Sequence, residues 1–146
     1  LFRDRCMEFD DIYAWEGVNY KASDWWKPVP VSLRHKVRFY NTYVEELPLP
    51  ESLAGKRAGD GSFLRMLREV ASPSDFVVVK LDIDGGPEME IAHAIANRPE
   101  LSALIDVLFF EYHFQEPFLN GFWMDGFVPG SNVDTAMRLM SRLRHL

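Results

Sequence analysis

Cysteine is nearly absent. Cys6 is the only one in 146 residues, so no disulfide can close within the chain and a zinc site built on several thiolates is excluded. That count leaves the redox compartment open. Basic residues are the minority: 16 Lys and Arg stand against 22 Asp and Glu, a formal charge of −6. No basic stripe is present that could neutralise a row of phosphates, so a nucleic acid is not an expected partner. No apolar run approaches the ~20 residues of a membrane-spanning helix, and no stretch reads as a signal or transit peptide. Localisation therefore stays open. Nine glycines and nine prolines, with 26% charged residues, exclude collagen-like and low-complexity classes.

What is present is apolar and aromatic. Hydrophobic residues make up 47% of the chain and aromatic residues 14%. A chain of this length is expected to form one domain over residues 1–146, burying about 68–70% of its unfolded surface. Residues 1–7 read as the end of a helix with no cap before it. Residues 132–146 are helical in period and have no Gly or Pro stop. Both features lead us to expect an excerpt of a longer protein.

Periodicity then divides the chain. Residues 10–16 read as a short strand closed by Gly17. Residues 19–34 are mixed, with Trp25-Trp26 followed by Pro28 and Pro30, which argue against a helix there. Residues 36–44 alternate as a strand and 47–61 read as a loop. Residues 61–71 form an amphipathic helix whose inner face carries Phe63, Leu67, Val70 and Ala71, with Asp60 or Ser62 as cap and Pro73 as stop. The run Phe76-Val77-Val78-Val79 within 75–82 suits a strand buried on both faces, as does Val107-Leu108-Phe109-Phe110 within 105–113. Residues 87–97 follow the first of these as a helix, ended by Arg98-Pro99. Ser131-x-x-Asp134 resembles a capping box for the last helix, whose inner face is Ala136, Leu139, Met140 and Leu143, with Arg138 and Arg142 on a solvated face.

Strands alternating with helices predict an α/β fold: a doubly wound, mostly parallel sheet with helices on both faces. Ligands in such sheets bind beyond the carboxyl ends of the strands, and polar residues gather at those ends here. Glu16 follows Ile-Tyr-Ala-Trp and could accept hydrogen bonds from both hydroxyls of a ribose. Lys80, Asp82 and Asp84 share one side if their strand continues, ahead of Gly85-Gly86. Those carboxylates suit a cation, a substrate amine or hydroxyl, or a general base. Equally, Asp84 suits a helix cap. Glu111 and His113 share a side of the next strand. Were the two strands neighbours, Asp82, Asp84, Glu111 and His113 would converge as oxygen and imidazole donors of the kind that hold Mg, Mn or Fe. Acids and imidazoles also pair without a metal, so no metal ligand is assigned. Asn41 interrupts a good β pattern, which suits either an edge cap or a ligand contact.

Together these segments resemble the FkbM-type methyltransferases. Val79-Lys80-Leu81-Asp82-Ile83-Asp84-Gly85, followed by Glu88 and a helix, is similar to that family's Lys-Ile-Asp-Val-Glu-Gly-x-Glu signature. Residues 12–16, 39–44 and 105–113 resemble its second, third and fifth strands, in order, so the likeness spans about residues 9–114. It implies a Rossmann-like methyltransferase fold, incomplete at both ends, that uses S-adenosylmethionine to methylate a hydroxyl of a small-molecule or glycan acceptor. By that likeness Glu16 and Gly17 would hold the cofactor ribose, and Asn41 and Thr42 would border the adenine. Asp82 would lie near the reacting methyl group, and Glu111 or His113 would line the acceptor pocket, with Asp82 or His113 taking the acceptor proton. The chain departs from the family pattern in three places. One extra residue precedes Glu88, Asp84 stands where the family has Glu, and no first strand with a glycine-rich loop precedes Glu16. Two other readings stay open. Asp82-Ile83-Asp84 matches the metal-holding Asp-x-Asp of nucleotide-sugar enzymes. Alternatively, Trp25, Trp26, Phe118, Phe122 and Trp123 would form the contact surface of a non-catalytic scaffold.

Overall fold

The computed structural model describes residues 7–17, 21–42, 44, 63–83, 86–112 and 130–144. Four short strands alternate with helices: β1 (Ile12–Trp15), α1 (Ala22–Trp26), a 3₁₀ helix (Val31–Lys36), β2 (Val37–Tyr40), α2 (Phe63–Val70), β3 (Val78–Leu81), α3 (Gly86–Asn97), α4 (Pro99–Ser102), β4 (Val107–Phe110) and α5 (Val133–Leu143). The α/β class and the parallel pairing agree with the sequence reading. The strands form two parallel pairs rather than one continuous sheet among the described residues: β1 with β2, and β3 with β4. Ile12 pairs with Val37 and Trp15 with Tyr40 in the first. Val78 pairs with Val107 and Leu81 with Phe110 in the second.

One core lies against both pairs. Leu64 and Leu67 of α2, Leu81 of β3, Ile91, Ala92 and Ile95 of α3, Leu101 of α4 and Leu139 of α5 are buried together, with Trp15, Leu108 and Phe110 packed on them. The β1–β2 pair is lined by aromatic rings on both faces. Trp25 of α1 stacks on Phe39 at 3.7 Å on one face. On the other, Trp15 stacks on Tyr40 at 5.1 Å and meets Phe63, the first residue of α2, edge-on at 6.0 Å. Thus α2 starts beside the carboxyl end of β1, as a helix returning the chain to the start of the next parallel strand must.

Several expectations need correcting. The prolines do not prevent helix in 19–34. α1 ends at Trp26, ahead of Pro28, and the 3₁₀ helix begins directly after Pro30, where a fixed φ suits a helix entry. In α2, Leu64 rather than Val70 completes the inner stripe, and Val70 is 45% exposed. At about 100° per residue Leu64, Leu67 and Ala71 fall within roughly 60° of arc, while Val70 lies about 120° from Leu64. β3 and β4 are buried on one face, not two. Val79 and Leu81 point into the core, whereas Phe76, Lys80 and Phe109 lie open on the other side.

The cap of α5 sits one residue later than read. Asn132 accepts from the Thr135 amide at 3.0 Å, and the Thr135 hydroxyl accepts from the Asn132 amide at 2.9 Å. Gly130, at φ +86°, supplies the left-handed turn just before it. Ala136 and Leu139 are buried and Met140 and Leu143 half-buried, as the period requires. Arg142 does not merely face solvent. Its guanidinium donates to the Ala96 carbonyl at 3.3 Å and to the Asn97 side chain, closing the carboxyl end of α3. The loop read at 47–61, the caps Asp60 and Ser62, and residues 1–6 lie outside the described residues.

Candidate functional site

Each parallel strand pair ends in polar residues. Glu16 follows β1 directly, half-buried, and its amide donates to the Tyr40 carbonyl at 3.0 Å, carrying the pairing one step past the strand. Gly17 follows it, and Asn41 and Thr42 stand exposed just beyond β2. Glu16, Asn41 and Thr42 therefore stand at one edge, just past the paired Trp15 and Tyr40, of which Trp15 packs on the core. Sequence reasoning did not foresee the Trp15–Tyr40 stack. Its only signal was an aromatic residue directly before both Glu16 and Asn41. The Trp15 indole Nε1 is buried with no hydrogen bond among the described residues.

The second cluster stands at the end of β3 and β4. These strands are hydrogen-bonded neighbours, which meets the condition for Asp82 and Glu111 to approach each other. Lys80 pairs with the first of them: its Nζ lies 2.5 Å from Asp82 Oδ2. The hydrogen bond and charge of Asp82 raise the Lys80 ammonium above the ordinary lysine range, with a smaller contribution from Glu111. Glu111 is exposed and Asp82 about a third exposed. Asp84, Gly85 and His113, the remaining members of the expected constellation, lie outside the described residues, as does the expected scaffold surface at Phe118, Phe122 and Trp123. Among the described residues no three His, Cys, Asp or Glu side chains are arranged to hold a metal ion. Likewise, no described helix is long and apolar enough to cross a membrane.

The raised Lys80 ammonium makes a direct check possible. A lysine held charged by a partner reacts slowly with amine reagents, because only the neutral amine attacks. Asp82→Asn removes the main cause of the shift, so labelling of Lys80 at about pH 9–10, just below the ordinary lysine pKa, should accelerate. Site-resolved mass spectrometry reads the rate, and an unchanged rate would mean that the pair does not persist in solution. The sign for stability follows: the pair contributes below the ordinary lysine pKa, and its contribution is lost as pH rises through the elevated value.

No protein family, curated protein or solved structure matches the chain. The functional reading therefore rests on the residues alone.

Proposed function

We propose that this chain is an S-adenosylmethionine-dependent methyltransferase acting on a hydroxyl oxygen, with its two parallel pairs belonging to one doubly wound, Rossmann-like sheet. The observation that carries the reading is the placement of Glu16, Asp82 and Glu111, each directly beyond the carboxyl end of a parallel strand. Ligands of open α/β sheets bind at that edge.

The residues suit the cofactor. A half-buried carboxylate directly beyond the end of a parallel strand suits a ribose diol. When bound, S-adenosylmethionine supplies a methyl group carried on a positively charged sulfur. Glu16 would accept from the ribose hydroxyls, Gly17 would leave room beside them, and Asn41 and Thr42 would border the base. Asp82 would serve the methyl-bearing end. Glu111 would serve the acceptor side, and a carboxylate there or the His113 imidazole would take the acceptor proton, typically worth ~10²–10⁴-fold in rate. Holding the two reactants in line supplies up to about 7–11 kcal/mol more. The acceptor is a small molecule or glycan.

The alternative built on Asp82-Ile83-Asp84 as a metal-holding Asp-x-Asp is less favoured, because Asp82 Oδ2 is already engaged by the Lys80 ammonium. The reading is tested by titrating S-adenosylhomocysteine into the full chain by calorimetry. Saturable binding at one site supports it. Absence of binding, together with manganese-dependent binding of a nucleotide sugar, would replace it.

A further inference from the structure

We propose that Glu88 is a positioning residue that holds the amino end of α3, and with it the link from Asp82, in place at the candidate site. The proposal deepens the methyltransferase reading, in which Asp82 serves the methyl-bearing end of the cofactor.

The inner stripe of α3 opens on an acid. At about 100° per residue, Glu88, Ile91, Ala92 and Ile95 share roughly 100° of arc. All four are buried, and Glu88 is only 1% exposed. The other three belong to the hydrophobic core. Glu90, by contrast, faces solvent. An acid in the first turn gains from the helix dipole at an exposed position too, so the dipole alone does not account for burying Glu88. Burying an ionised carboxylate is costly unless donors surround it.

The place of the acid supplies such donors. Side chains of a helix lean toward its amino end. From the third residue of α3, Glu88 therefore leans toward the first turn, where the leading amides have no acceptor within the helix. An acid at that position accepts from the amide that opens the helix, the reach-back half of a capping box. β3 ends at the buried Leu81, and the link from there to Gly86 begins with Asp82. The amino end of α3 thus stands at the same edge as the strand-end acids. A leucine at position 88 would extend the apolar stripe but leave the first turn unheld. The acid gives up stability and fixes the direction in which Asp82 meets a ligand.

The test is Glu88→Leu and Glu88→Gln in the full chain, read by thermal unfolding, by Lys80 labelling at about pH 9–10 and by affinity for S-adenosylhomocysteine. Glu88→Leu should unfold at a temperature no lower than the unmodified chain, because an apolar residue suits the stripe. In the same variant Lys80 labelling should accelerate toward the rate of Asp82→Asn. Its Kd should rise about tenfold, the size of one lost hydrogen bond to a charged group. Glu88→Gln keeps an accepting oxygen and should hold labelling and affinity within about twofold of the unmodified chain. Unchanged labelling or unchanged affinity in Glu88→Leu would overturn the proposal. So would a lowered unfolding temperature there, which would make Glu88 a structural residue, or a Glu88→Gln displaced as far as Glu88→Leu. Failure of the unmodified chain to bind the ligand would overturn the methyltransferase reading, and Lys80 labelling would still decide the role of Glu88.

Discussion

Replacing Leu101 with alanine should destabilise the protein by about 3 kcal/mol and lower its Tm by roughly 10 °C. Leu101 is fully buried in α4, a helix of only four residues. So short a helix has almost no intrinsic stability, and packing must hold it in place. The leucine does this by joining the core formed by Leu64 and Leu67 of α2 and Ile91 and Ile95 of α3. Truncation removes transfer free energy and leaves a cavity that the surrounding helices fill only partly. Against a total stability of ~5–15 kcal/mol, the loss is large. Thermal unfolding followed by circular dichroism reads it. A Tm change no greater than that of Val31→Ala, a 77% exposed control, would show that α4 is not docked on the core.

Glu16→Ala should weaken binding of S-adenosylhomocysteine by at least tenfold. A carboxylate accepting from two hydroxyls makes charge-assisted bonds worth ~1.5–3 kcal/mol net, and each 1.4 kcal/mol is a factor of ten in Kd. Half-burial reduces the competition from water that a fully exposed acid would meet. Glu16→Gln retains one accepting oxygen and should fall between the two. The backbone bond from Glu16 to the Tyr40 carbonyl is retained in both, and circular dichroism checks that the fold is kept. Equal affinities in all three proteins would remove Glu16 from the ribose site and leave the Asp82 cluster as the remaining support for a ligand at this edge.

Strand and helix identity was legible because it depends on short-range pattern. The β-branched run at Val77-Val78-Val79 and the helical period at Ala136, Leu139 and Leu143 leave few alternatives. Element limits were less legible. β4 covers Val107–Phe110, the apolar centre of the strand expected over 105–113, and stops where Glu111 ends the apolar run. The two-sided burial expected of β3 failed at Lys80, whose exposed ammonium pairs with Asp82 two residues on, on the face of the strand turned away from the core. The Asn132–Thr135 box was misplaced by one residue because Ser131, Asn132, Asp134 and Thr135 can all cap, and only the turn at Gly130 selects among them. In the site, the strand-end acids were legible as single residues. The Trp15–Tyr40 stack was not, since it exists only once β1 and β2 are in register.

The Trp15 ring has an optical consequence. It directly precedes Glu16, stacks on Tyr40 and presents its edge to Phe63, with its indole nitrogen buried. An indole shielded from water fluoresces at shorter wavelength than an exposed one, and a tyrosine 5.1 Å away passes its excitation to it. Trp25 and Trp26 pack on the opposite face of the same strand pair, against Phe39. Substituting those two and Trp123 leaves Trp15 as the single tryptophan, next to Glu16 in the chain, so the arrival of a ligand at this edge can be followed by emission from the protein itself, without a label.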